Sequence, residues 1–540
     1  EATRGLRLED VAASVGLDFR HGAFRFGVSG DPEAMMGGGL CWLDADGDGW
    51  LDLFVVNSYA ESDVAGYRAR GGLPRSALFR NRGGTFDDVS RHSGADLALR
   101  GSGCVAADFD LDGDTDLYVS GAGYSTETGN YHALLWNDGT GRFTEGARAA
   151  GISAPGWYAG AAVADVDGNG LPDLFVAGYT DDNAPIAGAR TGFPTDHRAV
   201  RDLLYLNDGP DNGGHVRFRE VARHAGVEHG RVDHGLGAAF SDVNGDGRPD
   251  LVVANDEDPN RLYVNVPRPG GAVGDPLGLG FRLVDQALAS GVADDNAGMG
   301  VAAADWDADG RPDLLVTNSR RQLHAAFLNS SRPADGVSFT DARPALTAAL
   351  GPSATGWGAT WLDLDLDGDL DLAVANGAIP VRSLQRDARP VQVLLGLAAN
   401  GEPGRFVEAG AALGLAGDAR VNGRGLAAAD FDNDGDLDLA VSSIGGRLLL
   451  LRASGARGHW LEVALAGFAP GTRVTAVLPD GTRLVRESQA GSSYLSSEDP
   501  RLHFGLGGAA TVRTLVVRRP DGRVTRMTDV PADRLVEIAP

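Results

Sequence analysis

The stretch Cys41-Trp-Leu-Asp-Ala-Asp-Gly-Asp-Gly-Trp-Leu-Asp-Leu-Phe-Val-Val-Asn57 decides how this chain folds. Aspartates alternate at Asp44, Asp46 and Asp48, Gly49 follows, and Asp52 opens an apolar run. The pattern D-x-[DN]-x-[DN]-G-x-x-D-L begins again at Asp108, Asp165, Asp242, Asp305, Asp363 and Asp430, at intervals of 64, 57, 77, 63, 58 and 67 residues. A unit of this length is longer than the ~33–34-residue helix-pair repeats. It suits four short strands with loops of uneven length.

Alternate carboxylates on a tight loop converge on one point, and a hard cation that takes 6–8 oxygens fills it. Counting from the first aspartate, positions one, three, five and nine are Asp44, Asp46, Asp48 and Asp52, then Asp108, Asp110, Asp112 and Asp116. The third to fifth copies supply Asp165, Asp167, Asn169 and Asp173; Asp242, Asn244, Asp246 and Asp250; and Asp305, Asp307, Asp309 and Asp313. The last two supply Asp363, Asp365, Asp367 and Asp371, then Asp430, Asp432, Asp434 and Asp438. Position six is always glycine, as a positive φ requires. Position seven varies (Trp50, Asp114, Leu171, Arg248, Arg311, Asp369, Asp436), which suits a ligand supplied by the backbone carbonyl. Calcium fits this oxygen set; magnesium prefers stricter octahedral geometry, and zinc would want His or Cys, which the loops lack. Up to seven calcium ions are expected.

A helix–loop–helix calcium site needs glutamate at position twelve. Here that position is Val55, Val119, Val176, Val253, Val316, Val374 and Val441, and position ten is leucine in every copy. The loop is therefore followed by a buried strand. Each unit continues with an apolar run ending in asparagine, such as Leu78-Phe-Arg-Asn81 and Leu134-Leu-Trp-Asn137, and then a strand such as Thr85-Phe-Asp-Asp-Val89. Four antiparallel strands per unit predict an all-β, seven-bladed β-propeller. The seventh copy has no fourth strand of its own, whereas residues near 6–12 look like a fourth strand with no blade before it. The N-terminal strand is expected to complete the last blade and close the ring.

These loops resemble the FG-GAP/VCBS repeats of the integrin α-subunit propeller. The segment beyond residue 455 resembles the ASPIC/UnbV domain through His459-Trp-Leu461, Gly491-Ser-Ser-Tyr-Leu-Ser-Ser497, Arg501-Leu-His-Phe-Gly-Leu-Gly507 and Pro520-Asp-Gly522. The order is that of cartilage-acidic-protein-like proteins and of the UnbV proteins named from enediyne gene clusters. The family's tryptophan before Pro-Asp-Gly is Arg519 here. The expected division is 1–455 for the propeller and 456–540 for a small β domain, a sandwich packed against the ring.

Composition narrows the function. The chain has 540 residues, 74 acidic against 48 basic, for a formal charge of −26. Twenty-six aspartates stand at the loop ligand positions, so the acidity resides in the loops. There is no lysine, which removes Schiff-base and phosphate-loop lysine chemistry. The acidic balance argues against nucleic acid as a partner, and no apolar run reaches the ~18 residues of a membrane span. A monomer is expected. The first residue is Glu1, so any signal peptide is expected to have been removed already. Cys41 and Cys104 are read as buried free thiols rather than a disulfide. Ser492, Ser493, Ser496 and His503 are read as structural, there being no G-x-S-x-G elbow around them. His224, His229 and His234 are read as solvated loop histidines.

A binding face is expected opposite the calcium loops, on connections 58–76, 121–132, 178–202, 266–280 and 377–391. Its candidate anchors are Tyr59, Tyr67, Arg68, Arg70, Tyr124, Tyr131, Tyr179, His197, Arg198, Arg382 and Arg386, since arginine and aromatic residues on loops anchor recognition surfaces. Two functions follow. The first is a secreted or cell-surface calcium-binding scaffold whose partner is a protein, glycan or small molecule; weak calcium sites fill at extracellular concentrations. The second, implied by the UnbV resemblance, is a cytoplasmic role in natural-product biosynthesis, with a small molecule bound or transformed at the ring's centre. The sequence shows no catalytic constellation, and whether the protein is an enzyme stays open.

Overall fold

A computed structural model describes residues 5–539 apart from 126, 228–230, 333–335, 398–404, 416, 418 and 468. His229 lies outside the described residues. The first repeat forms a four-stranded antiparallel sheet, Leu40–Leu43, Asp52–Val55, Ala77–Asn81 and Phe86–Asp88, in chain order. Sheets of the same order begin at Arg100–Ala107, Tyr158–Ala164, Gly235–Ser241, Gly298–Ala304 and Gly356–Leu362. A further sheet contains Gly423–Ala429, Asp438–Ser443 and Leu449–Ser454, and its outer strand is Arg7–Asp10, paired antiparallel with Leu449–Ser454.

The sheets stand face to face around an axis, so their inner strands are buried on both sides and read as continuous apolar runs. An apolar core fills each space between neighbours. One joins the first two sheets through Phe54, Leu78, Leu97 and Leu117. Another joins the last sheet to the first through Trp42, Phe79, Phe431 and Leu450. First strands touch in sequence around the ring, and Gly423–Ala429 meets Leu40–Leu43. The fold is thus a propeller.

A second repeated signal lies in the first strands. Gly39, Gly103, Gly160, Gly237, Gly300, Gly358 and Gly425 each stand five residues before position one of a loop. They sit at the axis, where strands approach most closely. A methyl group added at Gly237 or Gly300 would stand 2.5 Å from the carbonyl oxygen of Met299 or Trp357 on the next strand. In the sheets beginning at Arg100, Tyr158, Gly235, Gly298, Gly356 and Gly423, strand register shifts at this point, as glycine bulges do.

The two cysteines correct the sequence reading. Cys41 and Cys104 form a disulfide with a Cα–Cα distance of 6.2 Å. They occupy comparable places on first strands of adjacent sheets, and the crowding at the axis brings those strands within disulfide reach.

Residues 459–538 form two further sheets. One is three-stranded, with His459–Leu465 between Leu502–Gly507 and Arg534–Ile538; the other orders Arg483–Glu487, Arg473–Val477, Thr511–Arg518 and Val524–Pro531. Leu461, Val474, Phe504 and Leu515 meet between them as a sandwich core. From this unit the segment 489–501 runs into the propeller axis. Val163 N donates to Ala490 O (2.8 Å), Val301 N to Ser493 O (2.8 Å), Cys104 N to Leu495 O (3.1 Å) and Trp42 N to Ser497 O (3.1 Å). Ser493 Oγ donates to Leu426 O at 2.7 Å and accepts from Ala359 N at 3.0 Å. Tyr494 is fully buried, its ring 4.9 Å from Trp357 and its hydroxyl donating to Met36 O at 2.8 Å. The ring's centre, expected as a small-molecule pocket under the biosynthetic reading, is instead occupied by the protein's own Ser492–Ser497. The hydroxyls of Ser493, Ser496 and Ser497 serve the backbone of the inner strands.

Candidate metal centres

Each aspartate loop joins the first strand of a sheet to the second, and the glycine at position six takes φ between 84° and 101°. Position four is also left-handed, and there four residues are not glycine: Leu111 (59°), Ala308 (59°), Leu366 (60°) and Asn433 (53°). Holding such residues at positive φ costs energy, and the loops supply it through aspartate-to-backbone bonds. In the first loop Asp44 accepts from Gly49 N (2.9 Å) and Asp48 N (3.1 Å), and Asp48 accepts from Trp50 N (3.0 Å). Asn169 and Asn244 accept in the same way, from Leu171 N (2.7 Å) and Asp246 N (2.9 Å).

What these bonds leave over is acceptor capacity aimed at one point. Asp46 Oδ1, Asp108 Oδ1, Asp305 Oδ1 and Asp432 Oδ1 are buried and accept no hydrogen bond. Three-carboxylate groups with oxygens within 4.8 Å of one another include Asp44, Asp46 and Asp48; Asp108, Asp110 and Asp116; Asp165, Asp167 and Asp173; Asp305, Asp307 and Asp313; and Asp363, Asp365 and Asp371. Burial, then the neighbouring carboxylates, push Asp108 up to about 6 and Asp363 to about 8, although Arg486 opposes the rise in Asp363. A partly buried, all-oxygen anionic cluster suits a hard divalent cation.

Position nine carries a second duty. Asp52 Oδ2 accepts from Ala45 N (3.2 Å) while Oδ1 accepts from Asn81 N (2.7 Å), so one carboxylate ties its loop to the third strand. The bond from the third strand recurs at Asp116, Asp173, Asp250, Asp313, Asp371 and Asp438. Burial raises these groups, to about 7 at Asp52, about 8 at Asp116 and about 9 at Asp313, against the pull of those backbone donors.

The asparagine ending the third strand bridges sheets. Asn81 Nδ2 donates to Leu51 O of its own loop (3.0 Å) and to Phe431 O of the seventh loop (2.7 Å). Asn137 reaches Ala45 O (2.8 Å), Asn207 reaches Phe109 O (2.9 Å), Asn265 reaches Val166 O (2.8 Å) and Asn329 reaches Val243 O (2.8 Å). In the sequence these residues read only as strand ends. At position seven the side chains of Arg248 and Arg311 turn outward, donating to Asn265 O (2.9 Å) and Asn329 O (2.7 Å) and pairing with Asp246 and Asp309. That leaves position seven its backbone carbonyl alone to offer a metal.

The loops differ in what covers them. Gly49, Gly113, Gly170 and Gly247 are exposed, Gly310 and Gly368 are half-buried, and Gly435 is buried. The C-terminal sheets make the difference. Arg473 donates to Gly310 O in the fifth loop, and Gly507 N donates to Leu366 O in the sixth at 2.9 Å. In the seventh, Arg501 donates to Asp430 O and Asn433 Oδ1 (both 2.7 Å), and His503 Nε2 lies 2.9 Å from Gly435 O. Burial lowers His503 to about 4, so the ring is neutral and donates from Nε2. A cavity of about 140 Å³ remains between the units, lined by Asp305, Asp363, Arg473, Arg486, Glu498 and His503 among others.

On the opposite face the expected anchors separate into three groups. Arg68, Arg70, Tyr124, Arg198, Arg382 and Arg386 are exposed; Tyr124, 55% exposed, stacks edge-on with Tyr131 at 5.5 Å. Tyr67 is half-buried, donating to Gly22 O (2.6 Å), and His197 is half-buried beside Asp196 (2.7 Å). Tyr59 and Tyr179 are corrections: both are buried, and Tyr179 donates its hydroxyl to Asp256 at 2.7 Å. The sequence missed Phe26, 43% exposed, which lies under Arg70 at 4.6 Å and beside Tyr67 at 5.1 Å. His234 is a further correction, buried against Asp258 at 2.8 Å rather than solvated, while His224 pairs with Asp275 at 2.9 Å.

Comparison with known proteins agrees with this architecture. Residues 44–119, 124–176 and 242–316 match the FG-GAP-like repeat family, and 464–540 match the ASPIC and UnbV family. Human cartilage acidic protein 1 is 28% identical over 508 residues, 90% of this chain and 69% of that protein. The mouse and Xenopus tropicalis proteins of that name are 27% and 26% identical, with 90% of this chain and 71% and 70% of theirs covered. The chain is thus an FG-GAP-like repeat propeller with a C-terminal ASPIC and UnbV domain, related to cartilage acidic protein 1.

Proposed function

We propose that the propeller, residues 1–455, binds calcium in its aspartate loops, and that the protein works outside the cytoplasm as a binding or scaffold protein through the face opposite those loops. The observation that carries the metal reading is the buried, unbonded carboxylate oxygen at Asp46, Asp108, Asp305 and Asp432, each inside a loop already fixed by its other aspartate bonds. A cation relieves that arrangement by satisfying oxygens that no protein donor reaches. The Cys41–Cys104 disulfide supports an oxidising compartment, and the relatives take their name from cartilage. Among the described residues no helix is long and apolar enough to cross a membrane. Exposed Phe26, Phe193 and Tyr124, together with exposed Arg68, Arg70, Arg382 and Arg386, support a contact surface.

Calorimetric titration of chelator-stripped protein with calcium, paired with thermal melts in EGTA, tests the metal reading. At about 2 mM calcium and a site constant of about 0.1 mM, each ion adds about 1.8 kcal/mol. EGTA should therefore lower the melting temperature sharply. An unchanged melt together with no calcium uptake would sink the reading.

A further inference from the structure

We infer that the C-terminal sheets are part of metal loops five, six and seven, so that the protein holds two classes of calcium site: open ones that exchange freely, and covered ones that release their ion only when the C-terminal sheets lift. This rests on the calcium reading of the loops and adds to it a division that the repeated sequence does not contain, because all seven loops share one motif.

The division comes from contacts. In the fifth loop Arg473 holds the Gly310 carbonyl from above, while Asp305 Oδ1 is buried without a donor. In the sixth, the position-four carbonyl of Leu366 accepts from Gly507 N at 2.9 Å, and a methyl group on Gly458 would overlap Leu366. The seventh is the most enclosed. Asp499 accepts from Asp430 N (3.3 Å), Arg501 spans Asp430 O and Asn433 Oδ1, and His503 faces Gly435 O. Trp460 packs against Gly435 closely enough that a side chain there would collide with the indole. No comparable bond reaches loops one to three among the described residues. Among the described residues, the fourth loop is touched only at its first residue, where Glu487 accepts from Asp242 N at 3.1 Å.

Apart from Arg501 on Asn433 Oδ1, these contacts land on loop backbone that a bound ion would also hold in place. Ion and C-terminal sheets therefore favour the same loop conformation, and each strengthens the other by an equal free energy. Arg486 completes the coupling: it is half-buried and lines the cavity with Asp305 and Asp363 of the fifth and sixth loops, so neutralising those carboxylates alters the field it sits in.

The test uses the full chain loaded with calcium and mixed rapidly with an excess of a fluorescent chelator, after the total bound calcium has been measured by dialysis. We expect release in two phases, fast from the open loops and slow from loops five to seven. Arg501→Gln should speed the slow phase roughly ten-fold, the size of an ordinary coupling between sites, and leave the fast phase alone. Asp46→Asn in the first loop should reduce only the fast amplitude. A single phase, or a slow phase indifferent to Arg501→Gln, overturns the inference. Absence of bound calcium at the dialysis step would instead refute the underlying metal reading. Should Arg501→Gln fail to fold, hydrogen exchange on the unaltered protein decides the matter: chelation should expose amides of residues 483–487 and 501–507 together with those of loops five to seven. Unchanged protection in those C-terminal strands would overturn the inference as well.

Discussion

Replacing Asn81 by alanine tests how the ring is closed. Asn81 is fully buried, and its Nδ2 spans Leu51 O and Phe431 O, carbonyls on the first and last sheets. Its backbone N–H still reaches Asp52 in the variant, because that bond needs no side chain. Asn81→Ala therefore removes two donors from two buried carbonyls, plus the Oδ1 that accepts from Gly84 N at 2.8 Å. An unsatisfied buried group costs about 1–3 kcal/mol. Carbonyls with another bond sit at the low end, so about 3 kcal/mol in total is expected. Arg82→Ala is the control: its side chain is 47% exposed and its ion pairs are long, at 3.8–3.9 Å, so about 0.5 kcal/mol or less is expected. Both are measured by urea unfolding in excess calcium. If Asn81→Ala falls within about 0.5 kcal/mol of Arg82→Ala, the sheet-bridging role is wrong. Asn81→Asp should be worse than alanine, since it sets a carboxylate against the same two carbonyls.

The other predictions concern the disulfide, the axis and pH. Cys41→Ala with Cys104→Ala opens a loop of 63 residues and should cost about 4 kcal/mol by chain entropy; an unchanged melting temperature would refute a stabilising bond. Tyr494→Ala removes a fully buried ring at the axis, with about 3–5 kcal/mol lost, and should release the C-terminal sheets to protease before the propeller unfolds; simultaneous cleavage of both parts would contradict this order. His132 accepts from Tyr118 OH at 2.5 Å, donates to Ala154 O at 3.0 Å, and is lowered by burial to about 4. The unfolded chain binds more protons than the folded one between that value and 6.5, so this stability is complete above 6.5 and lost as pH falls toward 4. Going from pH 7 to pH 5 should cost about 2 kcal/mol at this residue. Asp256 and Glu33, raised by burial to about 7 and about 8, run the other way. The measurement is therefore the difference between the protein and His132→Gln at both pH values, and a constant difference would refute the assignment.

The aspartate loops were legible in the sequence because residue type and spacing recur together: the alternation of Asp44, Asp46 and Asp48 returns in six later copies, with asparagine only at Asn169 and Asn244. The strand at Arg7–Asp10 was legible because the last repeat lacks a partner for Leu449–Ser454. The disulfide was not, since burial alone cannot tell a free thiol from a bonded one without the distance between two strands. The glycines from Gly39 to Gly425 were present as a repeat of fixed offset, but their meaning depends on the crowding of an axis. Asn81 and its equivalents looked like mere strand ends because their second partner lies on another sheet. The axial segment was hidden most completely. Gly491-Ser-Ser-Tyr-Leu-Ser-Ser497 has the composition of a loop, and only its distant partners Val163, Val301 and Trp42 make it internal.

That axial segment also sets the order in which a growing chain can become a protein. On a ribosome the strand Arg7–Asp10 is made first, yet it has no partner until Leu449–Ser454 has emerged. The axis waits longer still, until residues 489–501 have been synthesised. Through most of translation the nascent sheets therefore present glycine-lined inner edges with nothing between them. A product cut short before residue 490 would keep every aspartate loop and still lack its axle, which leaves incomplete chains open to proteolysis.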